Sequence, residues 1–139
     1  MRIVKQTVTR YYTYMKKIMI IEDNKDIQAI YTHSFTKGGY EVLIEENGLD
    51  GITSVAEKMP DVILLDLMMP KMDGFEFLKK MKETTTLSIP VIVCSNISDV
   101  ETINKAMDAG ARAVLLKVDY SGKQLVEKVE YLLNNPQAS

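Results

Sequence analysis

Four short apolar runs punctuate the chain: Ile18-Met19-Ile20-Ile21, Val62-Ile63-Leu64-Leu65, Val91-Ile92-Val93-Cys94 and Ala113-Val114-Leu115-Leu116. They are mostly β-branched or leucine and show no polar alternation, which fits strands covered on both faces. A fifth run, Glu41-Val42-Leu43-Ile44-Glu45, is bracketed by charge and predicts an edge strand. Between the runs the apolar spacing becomes helical. Ile27, Ile30, Tyr31 and Phe35 stand at i, i+3, i+4 and i+8, and Gly38-Gly39 closes that stretch. Ile52, Val55, Ala56 and Met59 form a second stripe ahead of Pro60.

Three further helices announce themselves at their starts. Asp73 is followed three residues on by Glu76, Ser98 by Glu101 and Ser121 by Gln124. At that spacing a cap side chain and the third helical residue satisfy each other's backbone ends. The last helix then offers Leu125, Val126, Val129, Leu132 and Leu133 to a core, and all four prolines lie outside element interiors. Strict β-α alternation predicts an α/β fold class, a doubly wound five-stranded parallel sheet of order 2-1-3-4-5, flavodoxin-like (βα)5. Ligands in that topology sit at the strand carboxyl ends, where strands one and three diverge.

Composition narrows the function classes. The chain has 139 residues, 17 basic against 19 acidic, and a net charge of −2. The length suits one domain. Without a basic excess, no direct nucleic-acid partner is expected. The single cysteine excludes an internal disulfide, and no Cys/His cluster suits zinc, so a reducing, cytoplasmic setting is expected. No apolar stretch approaches the ~20 residues of a membrane span, and the first fifteen residues lack a secretory apolar run.

The chemistry lies at the ends of the buried runs. Run one ends in Glu22-Asp23, the second buried run in Asp66, the next in Ser95 and the last in Lys117. Taken alone, Asp23 reads as a helix cap, Asp66 as a strand-end turn, Ser95 as a turn opener and Lys117 as a salt-bridge partner. Together they bring three carboxylates, a hydroxyl and an ammonium to one rim of the sheet. Clustered carboxylates repel, and a hard divalent cation relieves that repulsion; oxygen-only ligation selects magnesium, manganese or calcium. With a +2 ion and Lys117 the three negative charges balance. Such a site accepts a phosphoryl group, with Asp66 as nucleophile and Ser95 bonding a phosphoryl oxygen.

These residues make the chain recognisable. It resembles the receiver domain of bacterial two-component response regulators over roughly residues 16–134, through IMIIEDN at 18–24, VILLDLMMPKMDG at 62–74, VIVCS at 91–95 and AGARAVLLK at 109–117. The resemblance implies that Asp66 receives a phosphoryl group from a histidine kinase or histidine phosphotransfer protein. It implies Mg²⁺ held by Asp23, Asp66 and the main-chain carbonyl of Met68, with Glu22 acting on it through water. Ser95 and Lys117 would contact the phosphoryl oxygens and couple the site to the face of helix four, strand five and helix five, where a downstream protein is regulated. A homodimer is left open, and catalysis is confined to the chain's own phosphoryl transfer and dephosphorylation.

Three departures from the family pattern bear on output. Val118 follows Lys117 where the family usually has proline, with one extra residue before the last helix. Val114 stands where many members carry an aromatic ring, and Asn96 follows Ser95 where a small residue is common. A trans Lys117-Val118 bond is expected, with output through the loop after Ser95 and the helix opening at Ser98. Two rival readings are weaker. A phosphorylation-independent docking module would not need the acidic pair, Asp66 and Lys117. A phosphatase of the aspartyl-nucleophile kind would place a second Asp at the position of Met68.

Other residues carry ordinary expectations. His33 is read as facing solvent, Cys94 as a small hydrophobe in the core, and Met68, Met69 and Met72 as either core filling or contact surface. Residues 1–15 are expected to be an upstream extension, 16–134 the receiver domain and 135–139 a tail.

Overall fold

In a computed structural model that describes residues 15–84 and 88–138, five strands alternate with five helices. The strands are β1 (Lys17–Ile21), β2 (Glu41–Glu45), β3 (Val62–Leu65), β4 (Val91–Ser95) and β5 (Ala113–Leu116). The helices are α1 (Lys25–Lys37), α2 (Gly48–Lys58), α3 (Gly74–Thr84), α4 (Val100–Asp108) and α5 (Gly122–Asn134). A 3₁₀ turn at Lys117–Asp119 joins β5 to α5. All pairings are parallel and the order is β2-β1-β3-β4-β5. The charged run at 41–45 is therefore an edge strand. The expected extension at residues 1–15 lies, up to residue 14, outside the described residues.

Successive strand side chains point to opposite faces, so each apolar run feeds two cores. Ile18, Ile20, Leu64, Ile92 and Leu115 meet Tyr31 and Phe35 of α1 and Leu125, Val129 and Leu132 of α5. Met19, Ile21, Ile63, Leu65 and Val93 meet Val55 of α2, Phe77 and Leu78 of α3 and Ala106 of α4. Both faces being covered explains why the runs do not alternate with polar residues.

Of the three expected capping boxes one is complete and a second is half made. Ser121 and Gln124 form a complete capping box, with N–H donors at 2.9 and 3.2 Å. Asp73 accepts from the Glu76 amide at 3.0 Å. The fourth helix is capped by Asp99 and not Ser98: the Asp99 carboxylate accepts from both the amide and the hydroxyl of Thr102, each at 2.8 Å. A charged cap with two acceptor oxygens satisfies more donors than a serine hydroxyl and suits the positive helix end.

The helical stripes are narrower than their spacing suggested. Ile30 is 54% exposed, because α1 turns Gln28, Tyr31 and Phe35 inward. On α2, Gly51, Ser54 and Val55 face the core, which leaves Ala56 exposed. Met59 is the helix's left-handed end (φ 47°) and points away. His33 is exposed and Cys94 is buried. The 135–138 segment is tied down: Arg112 donates to the Asn135 carbonyl at 2.9 Å, and Ala138 packs on the first core.

Candidate functional site

β1 and β3 are neighbours in register, with Ile21 opposite Leu65. One residue beyond each, Glu22 and Asp66 emerge at the same height, and the Asp66 amide donates to the Ile21 carbonyl at 3.0 Å. Glu22 and Ser95 are almost fully buried and Asp66 is 9% exposed, whereas Asp23 is open to solvent. Carboxylate oxygens of Glu22, Asp23 and Asp66 all lie within 4.8 Å of one another. From the end of β5, Lys117 reaches across the rim. Its Nζ donates to Glu22 Oε1 at 2.6 Å and lies 3.5 Å from Asp66 Oδ1.

Local backbone chemistry holds these groups. Glu22 Oε2 accepts from the Asn24 amide at 3.1 Å, while the Asn24 side chain caps α1 by accepting from Ile27 N–H at 3.0 Å. The Ser95 hydroxyl oxygen accepts from the Ile97 amide at 3.2 Å. After Asp66 the chain folds back on the start of α3. A side chain at Gly74 would stand 2.7 Å from Leu67 Cα and 2.9 Å from the Asp66 carbonyl, so only glycine fits there. In that loop Met68 is 65% exposed, while Met69 and Met72 pack half-buried on the second core. Contact surface and core filling are thus divided among the three methionines.

The electrostatics follow from burial and crowding. Burial, and next the Glu22 charge, push the Asp66 carboxyl up to about 6, against the opposing pull of Lys117. Burial alone would favour neutral Lys117, but the Glu22 bond and the Asp66 charge outweigh it and raise its pKa. Three carboxylates against one ammonium leave two negative charges uncompensated. The donor set is all oxygen, so the residues present fit a hard divalent cation and not a soft one.

Two neighbours carry no obvious signal in the sequence. Gln28 is buried and its Nε2 donates to the main-chain carbonyl of Glu22 at 2.6 Å. The sign available was a polar residue at i−3 and i−7 from Tyr31 and Phe35, on the face that packs inward. The Tyr31 hydroxyl contacts Cys94 Sγ at 3.7 Å. Burial pushes the Cys94 thiol up to about 11, which keeps it protonated and inert at neutral pH.

Fold and pocket together define a doubly wound α/β protein with an acidic, oxygen-only site at its switch point. The family model of the response regulator receiver domain matches residues 18–130, and the chain belongs to that family. It is 34% identical over 96 residues to the sporulation initiation phosphotransferase F of Bacillus subtilis, covering 69% of this chain and 77% of that protein. It is 32% identical to the regulatory protein AtoC of Escherichia coli over 76% of this chain, but only 23% of the relative. For the DNA-binding dual master transcriptional regulator RpaA of Synechocystis the figures are 29%, 90% and 54%. The chain thus spans about half or less of the longer relatives.

Solved structures agree. A LuxR-family DNA-binding response regulator from Staphylococcus aureus superposes with a TM-score of 0.76 at 30% identity, over 85% of this chain and 98% of that one. The Vibrio cholerae chemotaxis protein CheY4 gives 0.76 at 25% identity, over 84% and 98%. Receiver domains are signalling modules and not enzymes that turn over an external substrate. They bind Mg²⁺ at an acidic pocket and interact with histidine kinases or phosphotransfer proteins and with downstream effectors. Among the described residues no helix is long and apolar enough to cross a membrane.

Proposed function

We propose that Asp66 is the phosphoacceptor of this receiver and that residues 16–134 form its functional unit. The observation that carries the reading is the convergence of Glu22, Asp23, Asp66 and Lys117, from three separate strand ends, within a few ångströms. Asp23, Asp66 and the Met68 carbonyl would hold Mg²⁺, which when bound supplies positive charge for the oxygens of an entering phosphoryl group.

The chain's own residues do the rest. An Asp66 carboxylate oxygen attacks the phosphorus of a phosphohistidine donor. The phosphorus–nitrogen bond breaks, the imidazole keeps its electron pair and takes a proton from solvent, and an acyl phosphate remains on Asp66. Lys117, poised 3.5 Å from Asp66, neutralises one phosphoryl oxygen. The Ser95 hydroxyl already accepts from the Ile97 amide, which leaves its proton free to donate to another. A shift of Ser95 pulls on the loop before α4, so the output runs to the face of α4, β5 and α5.

Incubation with acetyl phosphate and Mg²⁺, read by intact mass, tests the reading. Wild type should gain one phosphoryl group and Asp66→Asn none. A wild type that stays unlabelled with every donor and kinase supplied is a docking module instead.

A further inference from the structure

Beyond the β1–β3 ladder, which ends with the Asp66 amide on the Ile21 carbonyl at 3.0 Å, the next carbonyl, that of Glu22, belongs to a residue 2% exposed. A buried carbonyl outside the sheet needs a donor from elsewhere. Gln28 supplies it at 2.6 Å from the second turn of α1, and is itself only 9% exposed.

We propose that Gln28 is a positioning residue of the acidic pocket, setting its Mg²⁺ affinity by fixing the peptide plane between Glu22 and Asp23. The proposal rests on the reading of Asp23 and Asp66 as the metal's carboxylates. A peptide is rigid, so pinning the Glu22 carbonyl fixes the direction in which the chain enters Asp23. Glu22 is gripped at four points: its amide donates to the Glu45 carbonyl, Lys117 donates to Oε1, the Asn24 amide to Oε2 and Gln28 to its carbonyl. Asp23 is exposed, and Gln28 holds the peptide that delivers it. Without that bond the carbonyl can rotate toward water and swing the Asp23 carboxylate off the Asp66 side of the pocket. Groups that orient metal-binding residues in this way are typically worth about 10–100-fold in affinity.

The full chain is titrated with Mg²⁺ by calorimetry and labelled with acetyl phosphate across a Mg²⁺ series. Gln28→Met keeps the side chain's length and removes the donor. The Mg²⁺ dissociation constant and the half-saturating Mg²⁺ for labelling should each rise about tenfold, with the labelling plateau retained. A purely structural Gln28 would lower the plateau through loss of folded protein and leave half-saturation in place; that result, or an unchanged affinity, overturns the proposal. If Gln28→Met does not fold, Gln28→Leu, which also lacks a donor and adds no charge, carries the same expectation. A wild type that binds Mg²⁺ without labelling removes the phosphoacceptor role alone, and the affinity comparison still decides for or against Gln28. A wild type that binds no Mg²⁺ overturns both.

Discussion

Lys117 donates to Glu22 at 2.6 Å, closer than its 3.5 Å approach to Asp66. The ammonium is thus engaged by the carboxylate farthest inside the pocket, and the proposed phosphoacceptor is left half-compensated. This places a surplus of negative charge where a cation would bind, between Asp23 and Asp66.

That surplus makes Asp23 the residue on which metal-dependent labelling should turn. Asp23→Asn keeps the shape and removes one charge at an exposed position. Labelling by acetyl phosphate in Mg²⁺ should vanish while the circular dichroism spectrum stays that of wild type. Labelling at the wild-type rate would show that Asp23 does not hold the metal.

Asp66 should also cost the metal-free protein stability at neutral pH. Its folded pKa of about 6 lies above the ordinary carboxylate value, so between those two values the folded state binds more protons than the unfolded one. The contribution is fully present below the unfolded pKa and is lost as pH rises through about 6. In EDTA at pH 7, Asp66→Asn should be more stable than wild type by about 1–3 kcal/mol, since one pKa unit corresponds to about 1.4 kcal/mol. Urea melts at pH 5 and 7 check this: the gap should narrow at the lower pH.

The acyl phosphate should be long-lived. Hydrolysis needs a water in line with the phosphorus, and the positions flanking the pocket, Met68, Asn96 and Ile97, offer bulk without an acid or base. Asn96→Ala should leave the decay unchanged or hasten it. Slower decay in that variant would show that the Asn96 amide positions the water.

Output should travel through α4. Ala106 is that helix's one buried residue, and its start hangs on the Asp99 cap. Phosphorylation should therefore move backbone chemical shifts mainly at residues 95–107. Val114, half-buried against the second core and stiff at χ1, should keep one rotamer. A rotamer change there, read from methyl couplings, would show that the Val114 side chain itself takes part in the switch.

The alternation of strands and helices, the sheet order and the ends at which Glu22, Asp23, Asp66, Ser95 and Lys117 emerge are legible in the order of residues alone. Those follow from local periodicity, caps and the handedness of parallel crossovers. Tertiary structure decided what depends on distance across the fold. Which acid Lys117 prefers is set by how its side chain lies over the rim, since it passes Asp66 on the nearer β3 to bond Glu22 on β1. Whether Ile30 or Gln28 of α1 faces the sheet is set by the helix's rotation against it, to which a spacing of i+3 and i+4 is blind. The cap of α4 fell to Asp99 because Thr102 offered two donors at once, a choice that two adjacent capping residues cannot make without the helix in place.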